Sequence, residues 1–178
     1  MCALLGADID KAQKLAEAAA EGEVCTVAND NDPSQVVLSG HKGAIDRAIA
    51  LVKDFEIKRG VALPVSAPFH CPLMQPAADA MAEALGKTPP GALRVPLFAN
   101  VTAAVVSDPA EVQRLLVEQV CGRVRWRESV IAMQAAGVDS FVELGGKVLG
   151  PMIGRSVNDV TVTSVVGMAD IEALAKEL

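Results

Sequence analysis

The chain has 178 residues, of which 51% are hydrophobic and 3% aromatic, and its formal net charge is -6. This length suits one domain, or one small domain with part of another, and the apolar fraction is too high for a disordered chain. An acidic chain without clustered positive charge or an aromatic platform argues against nucleic-acid binding. No apolar run approaches the ~20 residues of a membrane span, so we expect a cytoplasmic protein that does not bind membranes.

The cysteines are widely spaced along the chain, at Cys2, Cys25, Cys71 and Cys121. Together with only two histidines, this spacing offers no zinc site, and we predict that no metal is bound. Because a large aliphatic core suits an intracellular protein better than a disulfide scaffold, we expect the four thiols to be reduced.

Residues 1–65 alternate short apolar strands with two amphipathic helices. The patterns predict a strand at Cys2–Leu5, a helix that Asp8 caps, strands at Val24–Ala28 and Gln35–Ser39, a helix at Lys42–Phe55 and a strand at Gly60–Val65. The Asn and Asp residues that precede Pro33 predict a turn between the two middle strands. This order of elements is that of the split βαβ motif, so residues 1–65 are predicted to form a ferredoxin-like subdomain.

Residues 66–178 begin with a proline-rich loop that contains His70 and then alternate helices with strands. The prolines around His70 keep the loop extended and non-helical. Helices are predicted at Leu73–Leu85 (ended by Gly86), from Asp108 toward Val120, at Glu128–Ala136, after Gly146 and at Ala169–Leu178, with strands at Val95–Asn100, Ser140–Leu144 and Val160–Val166. Such alternation predicts part of a mostly parallel sheet that helices cover.

His70 is the residue best suited to acid–base chemistry. Imidazole exchanges protons near neutral pH, but a catalytic histidine needs an orienting partner on one ring nitrogen and a nucleophile near the other. Cys71 cannot be that nucleophile in an extended chain, because adjacent side chains point apart. The residues alone therefore leave His70 as either a catalytic base or a structural histidine.

Four stretches of sequence place His70 in a family context. They are Pro-Val-Ser-Ala-Pro-Phe-His-Cys-Pro-Leu-Met (64–74), Ala-Asn-Asp-Asn-Asp-Pro-Ser-Gln-Val-Val-Leu-Ser-Gly-His-Lys (28–42), Gln-Val with Val-Arg-Trp (119–126) and Phe-Val-Glu-Leu-Gly-Gly-Lys-Val-Leu (141–149). In this order and at these spacings they resemble the malonyl-CoA:acyl-carrier-protein transacylases and related acyltransferase domains. The resemblance implies an α/β protein in which residues 66–178 are the C-terminal part of an α/β-hydrolase-like core, following the ferredoxin-like subdomain.

The resemblance also implies roles for three matched residues. His70 would be the general base of acyl transfer, and the backbone carbonyl of Gln119 would orient its ring. Phe69 would line the acyl pocket and favour malonyl over acyl groups with an α-methyl branch.

Four further residues are candidates for substrate binding. Asn29 and Asn31 match two asparagines near the active-site cleft of the family, although their sequence is equally compatible with a simple turn. Lys58 and Arg59 shortly precede the His70 loop, where they could contact a phosphate of CoA or of the carrier protein, or could simply be solvated.

The nucleophile of this family is a serine in a G-x-S-x-G elbow, and no such sequence occurs in the 178 residues. We therefore expect a fragment that is inactive alone and that could have the missing N-terminal half as a partner. The resemblance implies malonyl transfer in fatty-acid synthesis, with malonyl-CoA and the phosphopantetheinyl acyl carrier protein as substrates and no permanently bound cofactor. Two alternatives stay open: a non-catalytic ferredoxin-like module that binds a ligand or partner, and an unrelated hydrolase that uses His70 with Cys121.

Overall fold

The structure of the protein is a computed structural model, and it describes residues 1–176. The chain divides into two compact units, Met1–Ser129 and Val130–Leu178. Residues 1–65 thus lie together with the histidine loop in the first unit, and the domain boundary at residue 65 remains a prediction. Among residues 1–176, no helix is long and apolar enough to cross a membrane.

The first unit contains six strands and most of the helices. Its strands are β1 (Cys2–Leu5), β2 (Cys25–Asp32), β3 (Gln35–Gly40), β4 (Arg59–Ala62), β5 (Leu97–Ala99) and β6 (Ala104–Val106). Its helices are α1 (Ile9–Ala20), α2 (Lys42–Leu51), a 3-10 turn (Pro72–Met74), α3 (Gln75–Lys87), α4 (Pro109–Glu118) and α5 (Trp126–Ala135), the last of which continues into the second unit.

A four-stranded sheet with the order β2-β3-β1-β4 organises residues 1–62, and every pair in it is antiparallel. Leu4 and Leu38 are fully buried on one face of this sheet, where α1 and α2 pack against them with Leu15 and Ile45. The side chain of Asp8 accepts a hydrogen bond from the Lys11 amide and so begins α1. The element order and the sheet predicted for this region are present, with β1 and β4 paired directly.

The turn predicted at Asn29–Pro33 is wrong, because β2 continues to Asp32. The strand keeps its pairing with β3 through two irregularities in register, between Val27 and Asn29 and between Asp30 and Asp32. Such bulges let polar residues of low strand propensity stay in a ladder. The reversal itself is shorter than predicted, and both the amide and the hydroxyl of Ser34 donate to the Asp32 carboxylate.

Two predictions between the histidine loop and α4 also need correction. Gly86 lies within α3, since that helix runs on to Lys87. The strand predicted at Val95–Asn100 is only β5, and it pairs antiparallel with the unpredicted β6 instead of joining a parallel sheet. Apolar side chains from this hairpin and α4, such as Ala99 and Leu115, form a small separate core.

The second unit is built around a single βαβ crossover. Its elements are β7 (Ser140–Leu144), α6 (Leu149–Ser156), β8 (Thr161–Val165) and α7 (Met168–Leu174). The strands β7 and β8 are parallel, as predicted for this part of the chain. The helix predicted at Ala169–Leu178 begins one residue earlier, at Met168, and already ends at Leu174; residues 177 and 178 of the prediction lie outside the described residues.

Glu143, in β7, links this strand to the helix that follows it. Its buried carboxylate accepts hydrogen bonds from the amides of Val148, Leu149 and Gly150 at the start of α6. These backbone donors, the Leu149 amide first among them, lower the pKa of Glu143. The Phe-Val-Glu segment therefore has a structural function in this unit: it fixes the strand to the helix that follows.

Two glycine substitutions test the packing of the first unit. A Cβ added at Gly40 would lie 1.9 Å from the backbone oxygen of Val24, so we expect Gly40→Ala to lower the free energy of unfolding by at least about 1–3 kcal/mol. Gly86 is the matched control, because a Cβ there meets nothing within 4 Å. Gly86→Ala should raise the unfolding free energy by about 0.5 kcal/mol. Equal urea midpoints for the two variants would contradict this packing.

Candidate active site

The loop that carries His70 is fixed from both sides of the histidine. Cys71 is fully buried, and its thiol donates to the backbone oxygen of Pro68 at 3.1 Å. His70 itself has a φ of 57°, in the left-handed region that residues other than glycine rarely adopt. Such backbone strain persists only where the surrounding structure enforces it, and it is concentrated at functional sites.

One ring nitrogen of His70 has a defined partner. Nδ1 lies 2.9 Å from the backbone carbonyl oxygen of Gln119. A carbonyl oxygen can only accept, so Nδ1 must carry the proton and donate it. In the neutral ring Nε2 is then the basic nitrogen, and it has no hydrogen-bond partner within residues 1–176. This arrangement leaves Nε2 available to accept a proton.

His41 has the opposite arrangement. It precedes α2, and its Nδ1 accepts a hydrogen bond from the backbone amide of Val24 at 2.9 Å. Because this Nδ1 accepts, the neutral His41 ring carries its proton on Nε2. The two histidines of the chain should therefore be opposite tautomers.

Gln119 is positioned at the end of α4. Its amide donates to the backbone oxygen of Leu115, which completes the last helical turn. Its side-chain oxygen accepts a hydrogen bond from the Nδ2 atom of Asn100, at 3.2 Å. Sequence reasoning missed Asn100, because the residue follows a short strand and belongs to no motif that indicates chemistry.

The segment after Gln119 pairs with strand β2 of the four-stranded sheet. A Cβ at Gly122 would come within 2.6 Å of the Val101 side chain, so this close approach requires glycine. Val124 then pairs with the bulged part of β2: its amide donates to Ala28 at 2.8 Å, and its oxygen accepts from the Asp30 amide at 2.9 Å. The bulged strand thus holds the segment that contains the carbonyl partner of His70.

A buried ion pair also links β2 to the start of α5. Asp30 is 1% exposed, and its carboxylate accepts from Nε of Arg127 at 3.0 Å and from Nη2 at 2.8 Å. These hydrogen bonds raise the pKa of Arg127. The pair was not predicted from the sequence, since its members are 97 residues apart and each lies in a polar stretch.

The four polar residues predicted to bind substrate lie on β2 and at the start of β4. Asn29 and Asn31 are half-buried in β2, and the backbone of Asn29 forms a bridge with Val124. Lys58 and Arg59 are exposed where β4 begins, and neither side chain has a hydrogen bond or ion pair within residues 1–176.

Phe69 immediately precedes His70, and the residue is 39% exposed. Of the predicted site residues, only His70 and Gln119 are joined by a hydrogen bond. The substrate-binding roles of the others remain predictions.

Cys121 is a poor nucleophile in this structure. Burial raises the pKa of its thiol, and the nearby Cys71 raises it further. Its sulfur lies 3.8 Å from the side-chain oxygen of Gln75, toward which the thiol points. A reactive cysteine needs a lowered pKa, so the geometry does not favour the alternative of a hydrolase that uses His70 with Cys121. Within residues 1–176, no group of three or more His, Cys, Asp or Glu side chains could hold a metal ion.

Curated proteins similar to this chain include malonyl CoA-acyl carrier protein transacylases from several bacteria. It is 41% identical over 166 residues to the malonyl CoA-acyl carrier protein transacylase of Salmonella typhimurium, a match that covers 93% of this chain and 54% of that protein. It is 37% identical to the enzyme of the same name from Haemophilus influenzae, over 100% of this chain and 57% of that protein. The chain thus spans about half the length of the curated relatives it matches. No protein-family model matches the chain.

Solved structures agree with the sequence comparison. An acyl-carrier-protein S-malonyltransferase from Bartonella henselae superposes with a TM-score of 0.93 at 43% identity, over 99% of this chain and 56% of that one. A malonyl-transacylase solved in complex with a type II polyketide acyl-carrier protein superposes with a TM-score of 0.94 at 31% identity, over 99% and 58%.

The mixed α/β fold is that of these solved acyltransferases. More specifically, the chain belongs to the malonyl CoA-acyl carrier protein transacylase family and corresponds to the C-terminal portion of its members. The α/β fold class predicted from the sequence is confirmed.

The buried ion pair gives an asymmetric prediction for stability. Arg127→Met leaves the buried Asp30 carboxylate unpaired and should lower the free energy of unfolding by about 3–5 kcal/mol. Asp30→Asn should cost less, because Arg127, whose side chain is 26% exposed, can still reach water. Lys42→Met is the control, since the pair of Lys42 with Asp46 lies on the surface and its loss should change stability by less than about 1 kcal/mol. Urea unfolding of the three variants gives the comparison, and equal losses for Arg127→Met and Lys42→Met would contradict the role of the pair.

Proposed function

We propose that this chain supplies the general base of a malonyl-CoA:acyl carrier protein transacylase of fatty-acid synthesis. The observation that carries the proposal is the contact of His70 Nδ1 with the Gln119 carbonyl, which leaves Nε2 basic and without a partner. Membership of the family supports the reaction, and the geometry supports the role of the residue.

In the first half-reaction, Nε2 of His70 would take the proton from a serine hydroxyl as that oxygen attacks the thioester carbonyl of malonyl-CoA. The tetrahedral intermediate collapses to a malonyl-serine ester, and the proton passes from Nε2 to the departing CoA thiolate. Gln119 keeps the ring in the required tautomer throughout. As a neutral group, its carbonyl orients the ring without the charge that an aspartate would add.

In the second half-reaction, Nε2 would take the proton from the phosphopantetheine thiol of the carrier protein. The thiolate attacks the malonyl ester, and the serine oxygen leaves with the proton that Nε2 returns. The enzyme thus returns to its initial protonation state after a ping-pong cycle. The complex of a similar malonyl-transacylase with an acyl-carrier protein supports the carrier protein as the second substrate.

Charge and size suggest roles for the other predicted site residues. Lys58 and Arg59 would contact a phosphate of CoA or of the carrier protein, because neither has a partner within the described residues and both are exposed. Asn29 and Asn31 would contact substrate from β2. Phe69 would limit the width of the acyl pocket. Cytoplasmic location, and the absence of any permanently bound cofactor, belong to the same proposal.

The isolated chain should not form the acyl-enzyme. Covalent acyl transfer needs a nucleophile, a base and oxyanion donors within hydrogen-bond reach of one another. The 178 residues contain no G-x-S-x-G elbow, so His70 would act on a serine supplied by a segment equivalent to the N-terminal portion of the relatives.

Complementation tests this function directly. The chain alone, incubated with malonyl-CoA and weighed as intact protein, should show no malonyl adduct. Mixed with the N-terminal portion of the Escherichia coli relative, it should restore a malonyl-serine on that portion and transfer to the carrier protein. His70→Ala in the mixture should lower transfer by about 10²–10⁴-fold. His41→Ala is the matched control and should leave transfer unchanged. Full transfer with His70→Ala would refute the proposed role, and a stoichiometric adduct on the chain alone would refute its dependence on a second segment.

Acyl specificity tests Phe69 separately. If its ring fills the space that an α-methyl group would occupy, Phe69→Ser should raise kcat/KM for methylmalonyl-CoA relative to malonyl-CoA by about 10-fold or more, the usual effect of one methyl group in a pocket. Phe55→Ser is the control for the loss of an aromatic ring elsewhere in the same unit, since Phe55 packs against the core of the four-stranded sheet. An unchanged ratio of the two specificity constants would remove Phe69 from the pocket.

A further inference from the structure

The backbone carbonyl of Gln119 could in principle come from any residue, so its contact with His70 does not by itself explain a glutamine. The side chain has its own partner. Its oxygen accepts a hydrogen bond from Asn100 Nδ2 at 3.2 Å. Gln119 is therefore held on two sides: the backbone carbonyl faces His70, and the side chain is anchored to the β5–β6 hairpin.

Asn100 contacts the same segment a second time. Its backbone oxygen accepts a hydrogen bond from the amide of Arg125 at 3.0 Å. The turn from Gln119 to Arg125 is thus bound at its first residue by the Asn100 side chain and at its last by the Asn100 backbone. Because Asn100 bonds both ends of this turn, it limits how far the Gln119 carbonyl, which lies where α4 meets the turn, can rotate.

The surroundings strengthen this contact. Asn100 and Gln119 line a cavity of about 220 Å³ whose other walls are apolar, with Leu97, Val112 and Leu115 among them. A hydrogen bond between amides is stronger beside apolar groups than in water, and leaving either amide unpaired there costs more. The bond is therefore suited to fixing the orientation of Gln119.

We propose that Asn100 is a positioning residue that acts through Gln119 to fix the tautomer and orientation of His70. This inference rests on the proposed function only for its effect on rate, because the effect on the His70 ring can be observed without catalysis. Asn100 would touch neither substrate nor the reacting atoms.

Amide-to-carboxylate substitutions provide a size-matched test. In Asn100→Asp, the Gln119 amide can rotate and donate its Nε2 proton to the new carboxylate, and in Gln119→Glu the new carboxylate can accept from Asn100. Both single variants should keep the bond. The double variant Asn100→Asp/Gln119→Glu places two carboxylates face to face, and their repulsion should break it.

The readout is the 15N spectrum of the neutral His70 ring in mildly alkaline buffer. Wild type and both single variants should show the proton on Nδ1, and the double variant should lose that preference. In the complemented enzyme, the double variant should lower kcat/KM by about 10–100-fold, since a displacement of ~1 Å caused by a remote change can cost about 10²-fold. A double variant with the Nδ1 proton and the rate of the single variants would overturn the proposal.

Two further variants separate positioning from loss of stability. Asn100→Leu keeps the side-chain volume in the apolar cavity but removes the hydrogen-bond donor, so it should also lose the Nδ1 preference. It takes the place of the double variant in the test if the double variant does not fold. Arg47→Met removes the half-buried ion pair of Arg47 with Glu23, together with its pairing with Glu21 and its hydrogen bonds to the Ala19 and Ala20 carbonyls, and all of these partners lie outside the Gln119–Arg125 segment. It should lower stability without changing the His70 tautomer. If it shifts the tautomer as much as the double variant does, the inference fails. If His70→Ala remains active, the proposed function fails instead, and the tautomer result still decides the role of Asn100.

Discussion

Nδ1 of His70 lies 2.9 Å from a carbonyl oxygen, and an oxygen of this kind can only accept a hydrogen bond. That single restriction sets the tautomer of the ring, the direction of its plane and the nitrogen that remains basic. It does so without adding charge, so the ring gains orientation but not the electrostatic support that a carboxylate partner would give. Orientation is therefore the quantity that the surrounding structure has to preserve, and the details of the first unit can be understood from that requirement.

The contact joins two segments that are 49 residues apart, and each is held independently. On the histidine side, the buried Cys71 thiol bonds to Pro68 and keeps His70 in a left-handed conformation. On the carbonyl side, three attachments hold the turn after α4: the side chain of Asn100, the backbone ladder between Val124 and β2, and the buried pair of Asp30 with Arg127. The bulged part of β2 supplies two of these three attachments, the backbone groups that pair with Val124 and the carboxylate that pairs with Arg127.

Local sequence patterns predicted the helices and most strands, whereas they could not predict contacts between residues that are distant in the sequence. The Asp8 cap and the strands β1 and β3 follow from spacing and propensity, and the structure confirms them. The Asn-Asp-Asn-Asp stretch was predicted as a turn because propensity describes an isolated chain. In the folded chain the stretch is a strand, and its buried Asp30 carboxylate pairs with Arg127, 97 residues away. His70 was found by its loop and family resemblance, while Asn100 had no local signal, since its importance lies entirely in the residue it touches.

The central claim is that the Gln119 carbonyl fixes the His70 ring with its proton on Nδ1. The most direct measurement is a two-dimensional 15N–1H spectrum of the histidine rings at a pH where both are neutral. The chain has only two histidines, and His41 provides an internal reference because its Nδ1 accepts from the Val24 amide. We expect the protonated nitrogen to be Nδ1 in His70 and Nε2 in His41. Two rings with the same Nε2-protonated pattern, or a His70 ring that averages between both tautomers, would contradict the claim.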